Sequence, residues 1–154
     1  MHYRIPSVKV LSQAITEVIK EKRSVVSQRR LTEHVRKKLK QIDPEYSASE
    51  ERIRRVAIFR NLAKLHIHYR ETRDPSVRAS CPVCGSETKE IQNQTLAGEL
   101  VRLGFKCSKC PFWTGPSRRI PVKYVFLSLQ EGLIEPEPKK RRIKDDKYSQ
   151  WKFA

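Results

Sequence analysis

The stretches CPVCG at residues 81–85 and CSKC at 107–110 contain all four cysteines of this 154-residue chain. Two residues between the cysteines of a pair let one tight turn direct both thiolates at a single ion, and two such turns complete a tetrahedron. Pro82 stiffens the first turn, and Gly85 supplies the backbone freedom that it needs. The spacing therefore predicts one structural Zn²⁺, held by Cys81, Cys84, Cys107 and Cys110.

Two other chemistries are possible for four cysteines. A redox site needs one C-x-x-C at the start of a helix inside a βαβ unit, and the flanking sequence predicts no such unit. An iron–sulfur cluster also takes four thiolates, but its common spacings are more compact than the 22 residues between Cys84 and Cys107. The spacing favours zinc. Because protein sulfur fills all four positions, the metal is expected to be structural rather than catalytic.

The remainder of this unit is predicted from the residues around the cysteine pairs. The spacer 85–106 has room for two strands and a turn, and the stretch 120–129 is predicted to close the unit as a last strand. Phe112 is expected to pack over the metal site. Two roles stay open for Trp113, which either covers the site as well or stacks on an unpaired base.

The residues before the cysteines begin with a pattern of two helices around a short strand. Apolar residues recur at helical spacing, and Ser7 and Ser27 stand where each helix needs an N-terminal cap. A β-branched pair in the stretch 22–26 predicts the short strand, and Asp43 before a proline ends the second helix.

A third helix and a strand follow. Ser47 and Glu50 have the spacing of a capping box, which places the start of the third helix there. The stretch 64–72 alternates between apolar and polar residues and predicts a strand, with a returning strand near 76–79. Three helices and a terminal hairpin in this order are typical of a winged helix-turn-helix, whose third helix reads DNA.

These elements predict an α+β protein of three parts. A winged helix-turn-helix spans residues 5–80, a zinc ribbon with its closing strand spans 81–129, and a basic extended tail spans 130–154. Two prolines, dense charge and little apolar content are the reason to expect an extended tail.

The net charge is the strongest indication of a partner. The chain carries 33 Lys and Arg against 17 Asp and Glu, a formal net charge of +16, and the excess is positive in every part: +9 over 1–75, +4 over 76–120 and +3 over 121–154. Such self-repulsion usually accompanies a polyanionic partner, so nucleic acid is expected. No long apolar stretch or amphipathic anchor predicts a membrane partner, and the absence of a signal-peptide core predicts a cytoplasmic protein.

The candidate nucleic-acid contacts are basic residues of every part and one aromatic residue. Those of the third helix are placed to reach guanine edges, and those of the following strand are placed to contact phosphates. The full set is Arg29, Arg30, Arg36, Lys37, Arg52, Arg54, Arg55, Lys64, Arg70, Trp113, Arg118, Arg119, Lys139, Lys140, Arg141 and Arg142.

A winged helix followed by CPVCG and CSKC resembles small archaeal winged-helix/zinc-ribbon proteins and, in domain order, the alpha subunit of archaeal transcription factor E. The resemblance covers roughly residues 5–128 and is most specific at the ligand turns, in Cys81, Cys84, Gly85, Cys107 and Cys110. It implies a protein that binds nucleic acid or a machine built on nucleic acid, such as RNA polymerase at a promoter.

Two functions follow from these features. Catalysis is not expected, because the chain has no glycine-rich phosphate loop or nucleophile motif, and His66 and His68 are expected as exposed residues near phosphate. Small size, charge in every part and a zinc module favour an RNA-binding ribosomal or ribosome-associated protein. The alternative is a DNA-binding winged-helix regulator; no segment predicts a dimerisation helix, so an obligate homodimer is not expected.

Overall fold

The computed structural model describes residues 2–129, which form a mixed α+β fold of three helices and two small antiparallel sheets. The elements are α1 (Val8–Lys22), β1 (Ser24–Val25), α2 (Gln28–Ile42), α3 (Glu50–Phe59), β2 (Lys64–Pro75), β3 (Thr88–Gln94), β4 (Leu100–Cys107), β5 (Trp113–Thr114) and β6 (Ser117–Leu127). The predicted tail, with Lys139, Lys140, Arg141 and Arg142, lies outside the described residues. Within residues 2–129, no helix has the length and apolar character needed to cross a bilayer.

The ends of the first two helices are where the sequence predicts them. The Ser7 hydroxyl accepts the Val10 N–H at 3.4 Å, the Ser27 hydroxyl accepts the Arg30 N–H at 3.2 Å, and Asp43 ends α2. These side chains satisfy backbone N–H groups that a helix leaves without an internal partner.

The predicted cap of α3 is wrong by two residues. Ser49, not Ser47, caps the helix, and its hydroxyl accepts the Arg52 N–H at 3.2 Å. Ser47 lies before the helix, and its own N–H donates to the Arg4 carbonyl oxygen at 3.0 Å. This contact spans more than forty residues of sequence, so a local capping pattern could not reveal it.

The first sheet corrects two strand predictions. Its order is β1-β6-β2, and β6 pairs antiparallel with both neighbours. The returning strand beside β2 is therefore β6, not residues 76–79, and the strand predicted at 120–129 to close the zinc ribbon belongs to the first sheet. The physical reason is that β6 pairs with β2 along most of its length, in a register that places Leu65 opposite Phe126. Residues 76–116 consequently leave the sheet after β2 and return to it at β6.

The second sheet lies within that excursion and has the order β3-β4-β5. It confirms the two strands and turn expected in the spacer between the cysteine pairs. One hydrophobic core serves both sheets: Leu11, Leu31 and Ile53 from the helices belong to the same buried cluster as the four cysteines and Phe112. The two cysteine turns are thus packed on the helices.

Candidate metal centre

Four buried cysteine sulfurs form the one cluster of potential metal ligands found among residues 2–129. The Sγ atoms all lie within 4.8 Å of one another; those of Cys81 and Cys110 are 3.5 Å apart, as are those of Cys84 and Cys107. A tetrahedral ion with bonds of about 2.3 Å has sulfur–sulfur edges of about 3.8 Å. All four cysteines are free, and a disulfide would need about 2.05 Å. The donor set therefore fits one metal ion. A cluster of several irons would need ligand sulfurs that lie farther apart.

The two ligand turns have matching hydrogen bonds. The Val83 N–H donates to the Cys81 sulfur and the Lys109 N–H donates to the Cys107 sulfur, both at 3.4 Å. Such donors stabilise a thiolate over a thiol. Gly85 has a φ of 78°, and its N–H donates to the Cys81 carbonyl oxygen at 2.8 Å, which bears out the requirement for glycine after the first pair.

The cysteines change one another's protonation. A hydrogen bond from Cys110 lowers the pKa of Cys81 to about 5, whereas the same bond and burial raise the pKa of Cys110. Burial also raises the pKa of Cys107. Close buried sulfurs cannot all carry negative charge unless a cation lies between them. A metal ion bound by all four would therefore displace protons, and acid would weaken its binding.

Helix α3 is joined to the first ligand turn by Arg54. Its Nε donates to the Val83 carbonyl oxygen at 2.8 Å, its Nη1 donates to Gln28 at 2.6 Å, and its guanidinium lies 4.8 Å from the centre of the Tyr124 ring. One side chain thus connects α2, α3, β6 and the metal site. From its place on the third helix, Arg54 is predicted to contact a base edge, but in the structure its Nε and Nη1 donate to acceptors within the fold.

The other two arginines of α3 also have internal acceptors. Arg52 Nη2 donates to the Pro6 carbonyl oxygen at 3.1 Å, and Arg55 forms an ion pair with Glu51 at 2.6 Å. The first turn of α3 is acidic, with Glu50 and Glu51. Arg52 and Arg54 therefore donate to acceptors within the fold, whereas Arg55 is paired with Glu51 at the exposed surface of the helix.

The remaining predicted contacts do not form one patch. Arg29 and Arg30, at the start of α2, and Lys37 farther along it are exposed, and Arg36 donates to the Ala48 carbonyl oxygen at 3.0 Å. On the first sheet, Lys64 is opposite Leu127, at the far end of β6 from Arg118. Arg70 and Arg118 are both exposed. The structure spreads these charges over several faces.

Arg119 and Trp113, which are predicted as separate nucleic-acid contacts, lie against each other in the structure. The Arg119 guanidinium lies 3.8 Å from the centre of the Trp113 ring, and its Nε and Nη2 donate to one Glu71 oxygen at 3.0 and 2.8 Å. It also lies 5.6 Å from the centre of the Tyr69 ring. The contacts of Glu71 and Tyr69 depend on the pairing of β2 with β6, so no local sequence signal could have identified these two residues.

Phe112 and Tyr69 pack beside the second ligand turn. Phe112 is buried, as expected, and its ring centre is 5.9 Å from that of Tyr69. Burial raises the pKa of Tyr69 to about 12, and its hydroxyl donates to the Pro111 carbonyl oxygen at 3.4 Å. The second turn thus has an aromatic cover, and Trp113 is not needed for that purpose.

Gly104→Ala is expected to destabilise the second sheet by at least about 2 kcal/mol. The residue has a φ of 150°, and a Cβ there would overlap the Thr114 carbonyl oxygen on β5. Thermal unfolding measures the effect. Gly98→Ala is the matched control, because its φ is also positive but its Cβ would meet the flexible Gln94 side chain at 3.8 Å. Equal stability of the two variants would contradict the close approach of β4 and β5.

Comparison with protein-family models, curated proteins and solved structures finds no match to this chain.

Proposed function

We propose that this chain is a non-catalytic, zinc-stabilised RNA-binding protein of the ribosome or associated with it. The observation that carries the proposal is the formal net charge of +16, distributed over every part of the chain. A surface that is positive on several faces suits a folded RNA, which presents phosphates from several directions. A compact anionic substrate would need only one basic pocket.

In the same proposal, the fold is a winged helix-turn-helix with a zinc ribbon inserted between the two wing strands. The three helices and the β1-β6-β2 sheet support the first part, and the β3-β4-β5 sheet with its four thiolates supports the second. An all-thiolate tetrahedral site suits Zn²⁺, which would fix the ligand turns without redox chemistry. Because all four ligands come from the protein, the metal has no position for a substrate.

The contacts of α3 favour RNA binding over sequence-specific DNA reading. A DNA-reading helix must present its side chains to base edges in the major groove. Arg52, Arg54 and Arg55 instead donate to acceptors within the protein. Exposed cations outside α3 are left for the phosphate backbone, which is the sequence-independent part of recognition.

Sedimentation of native lysate through a sucrose gradient tests this function. We expect the chain to travel with a ribosomal subunit in stoichiometric amount at moderate salt and to leave that fraction after ribonuclease treatment. Deoxyribonuclease treatment is the matched control and is expected to have no effect. If the chain instead follows DNA and RNA polymerase, or stays at the top of the gradient, the ribosomal assignment is wrong.

A further inference from the structure

The exposed face of the second sheet carries a row of three side chains that contribute nothing to the core. Strand register places Lys89 opposite Lys106 and Lys106 opposite Trp113. Residues directly opposite each other point to the same face with Cβ atoms about 4.5–5.5 Å apart. All three are exposed, whereas Phe105 and Cys107, on either side of Lys106, are buried. We call Lys89, Lys106 and Trp113 the outer row.

The ammonium groups of the two lysines of the outer row are available to bind an anion. Neither forms an ion pair with a residue that the structure describes. Two interstrand spacings separate Lys89 from Trp113, which is about 10 Å. The row therefore combines two cations and an aromatic ring within the length of a few nucleotides.

Trp113 is held in place and still presents a surface. The Arg119 guanidinium lies against one face of the indole at 3.8 Å, and Glu71 fixes that guanidinium with two hydrogen bonds. The side chain of Trp113 is nevertheless 42% exposed. A large apolar ring fixed by its neighbours loses little conformational entropy when a planar group stacks on it.

We propose that the outer face of the β3-β4-β5 sheet binds single-stranded RNA, with an unpaired base stacked on Trp113 and neighbouring phosphates on Lys106 and Lys89. A base inside a duplex has no free face, so only an unpaired base fits this contact. The proposal rests on the RNA-binding function above and identifies its surface. It also changes the role of Arg119, which becomes a positioning residue for Trp113 rather than a phosphate contact.

Fluorescence of Trp113 during an RNA titration tests the contact directly. The chain has two tryptophans, so the full-length Trp151→Phe protein reports on Trp113 alone. A short oligouridylate is expected to quench the emission on binding, and an RNA duplex of equal length is expected to leave it unchanged. Trp113→Ala is expected to weaken oligouridylate binding about tenfold, because it removes the aromatic ring on which one base stacks. Trp113→Phe keeps an aromatic ring and should lose less.

The lysines are tested through salt dependence. Lys89→Ala/Lys106→Ala should flatten the slope of log affinity against log salt by about 1.4, because each contact with a single strand contributes about 0.7. That change corresponds to about tenfold weaker binding near physiological salt. Lys9→Ala/Lys20→Ala is the matched control, since it removes two exposed lysines from α1. Retained zinc and circular dichroism would show that both double variants are folded.

The outcomes distinguish failure of the outer row as the contact surface from failure of the RNA-binding function. If the two double variants have the same slope, or if oligouridylate does not quench Trp113, the outer row is not the contact, while RNA binding itself stands. Tighter binding to the matching deoxyribonucleotide would overturn the assignment to RNA. If the protein binds neither single-stranded nor duplex RNA, both the outer-row proposal and the RNA-binding function fail.

Discussion

Cys107→Ser is expected to release the metal and unfold residues 81–114. A serine hydroxyl is a poor replacement for a thiolate, and the three remaining sulfurs would have to hold the ion with an incomplete tetrahedron. Binding of a structural zinc provides about 10–16 kcal/mol in small domains, and this is also folding free energy. Whole domains are stable by only about 5–15 kcal/mol, so the second sheet is not expected to persist without the ion.

The effect of Cys107→Ser should extend beyond the ligand turns. Arg54 donates to the Val83 carbonyl oxygen in the first turn, and the four cysteines share a core cluster with residues of all three helices. Unfolding of the turn would remove an acceptor from a charged, partly buried donor, which is unfavourable. Faster exchange of backbone hydrogens is therefore expected in α3 as well as in residues 81–114.

Metal analysis and hydrogen–deuterium exchange measure these two effects. Ser108→Ala is the matched control, because this exposed residue lies beside Cys107 in the same turn and has no place in the ligand set. It should keep one equivalent of zinc and the exchange pattern of the parent protein. A Cys107→Ser protein that still holds one equivalent of zinc would refute the four-cysteine site. Zinc loss with unchanged exchange in α3 would refute the coupling through Arg54.

The features that sequence predicted well are those determined by neighbouring residues. The cysteine pairs, the glycine after the first pair and the caps Ser7 and Ser27 each act within a few residues of chain. Their chemistry leaves few alternatives, since a tight turn or a helix end requires a particular residue type at a particular offset. Local rules therefore located the candidate metal centre and two of the three helix starts.

The features that sequence missed depend on which strands become neighbours. The alternation in β6 predicted a strand, but it could not show that this strand pairs with β2 and β1 instead of the second sheet. The roles of Arg54 and Arg119 were missed because their acceptors lie 29 and 48 residues away in sequence. A basic residue has the same appearance in sequence whether it contacts phosphate or a carbonyl oxygen of its own fold.

RNA affinity is expected to fall about 10³-fold between 50 and 200 mM salt, if about six phosphates are neutralised. Counterions released from the RNA favour binding at low salt, and this contribution decreases as the salt concentration rises. Six of the exposed basic residues without an ion pair to another described residue are expected to make these contacts. They are Arg30, Lys37, Arg70, Lys89, Lys106 and Arg118. Filter binding to ribosomal RNA over a series of salt concentrations measures the slope.

Two arginine variants separate the charges that bind RNA from those that hold the fold together. Arg70→Gln removes an exposed charge and should reduce the steepness of the slope by about 0.7–0.9, the range for one lost phosphate contact on single-stranded or double-helical nucleic acid. Arg54→Gln removes the same charge from an arginine whose Nε and Nη1 donate to Val83 and Gln28 within the fold. It should lower the melting temperature and leave the slope unchanged. If Arg54→Gln flattened the slope as much as Arg70→Gln, α3 would contact the nucleic acid directly, and the DNA-reading alternative would regain its support.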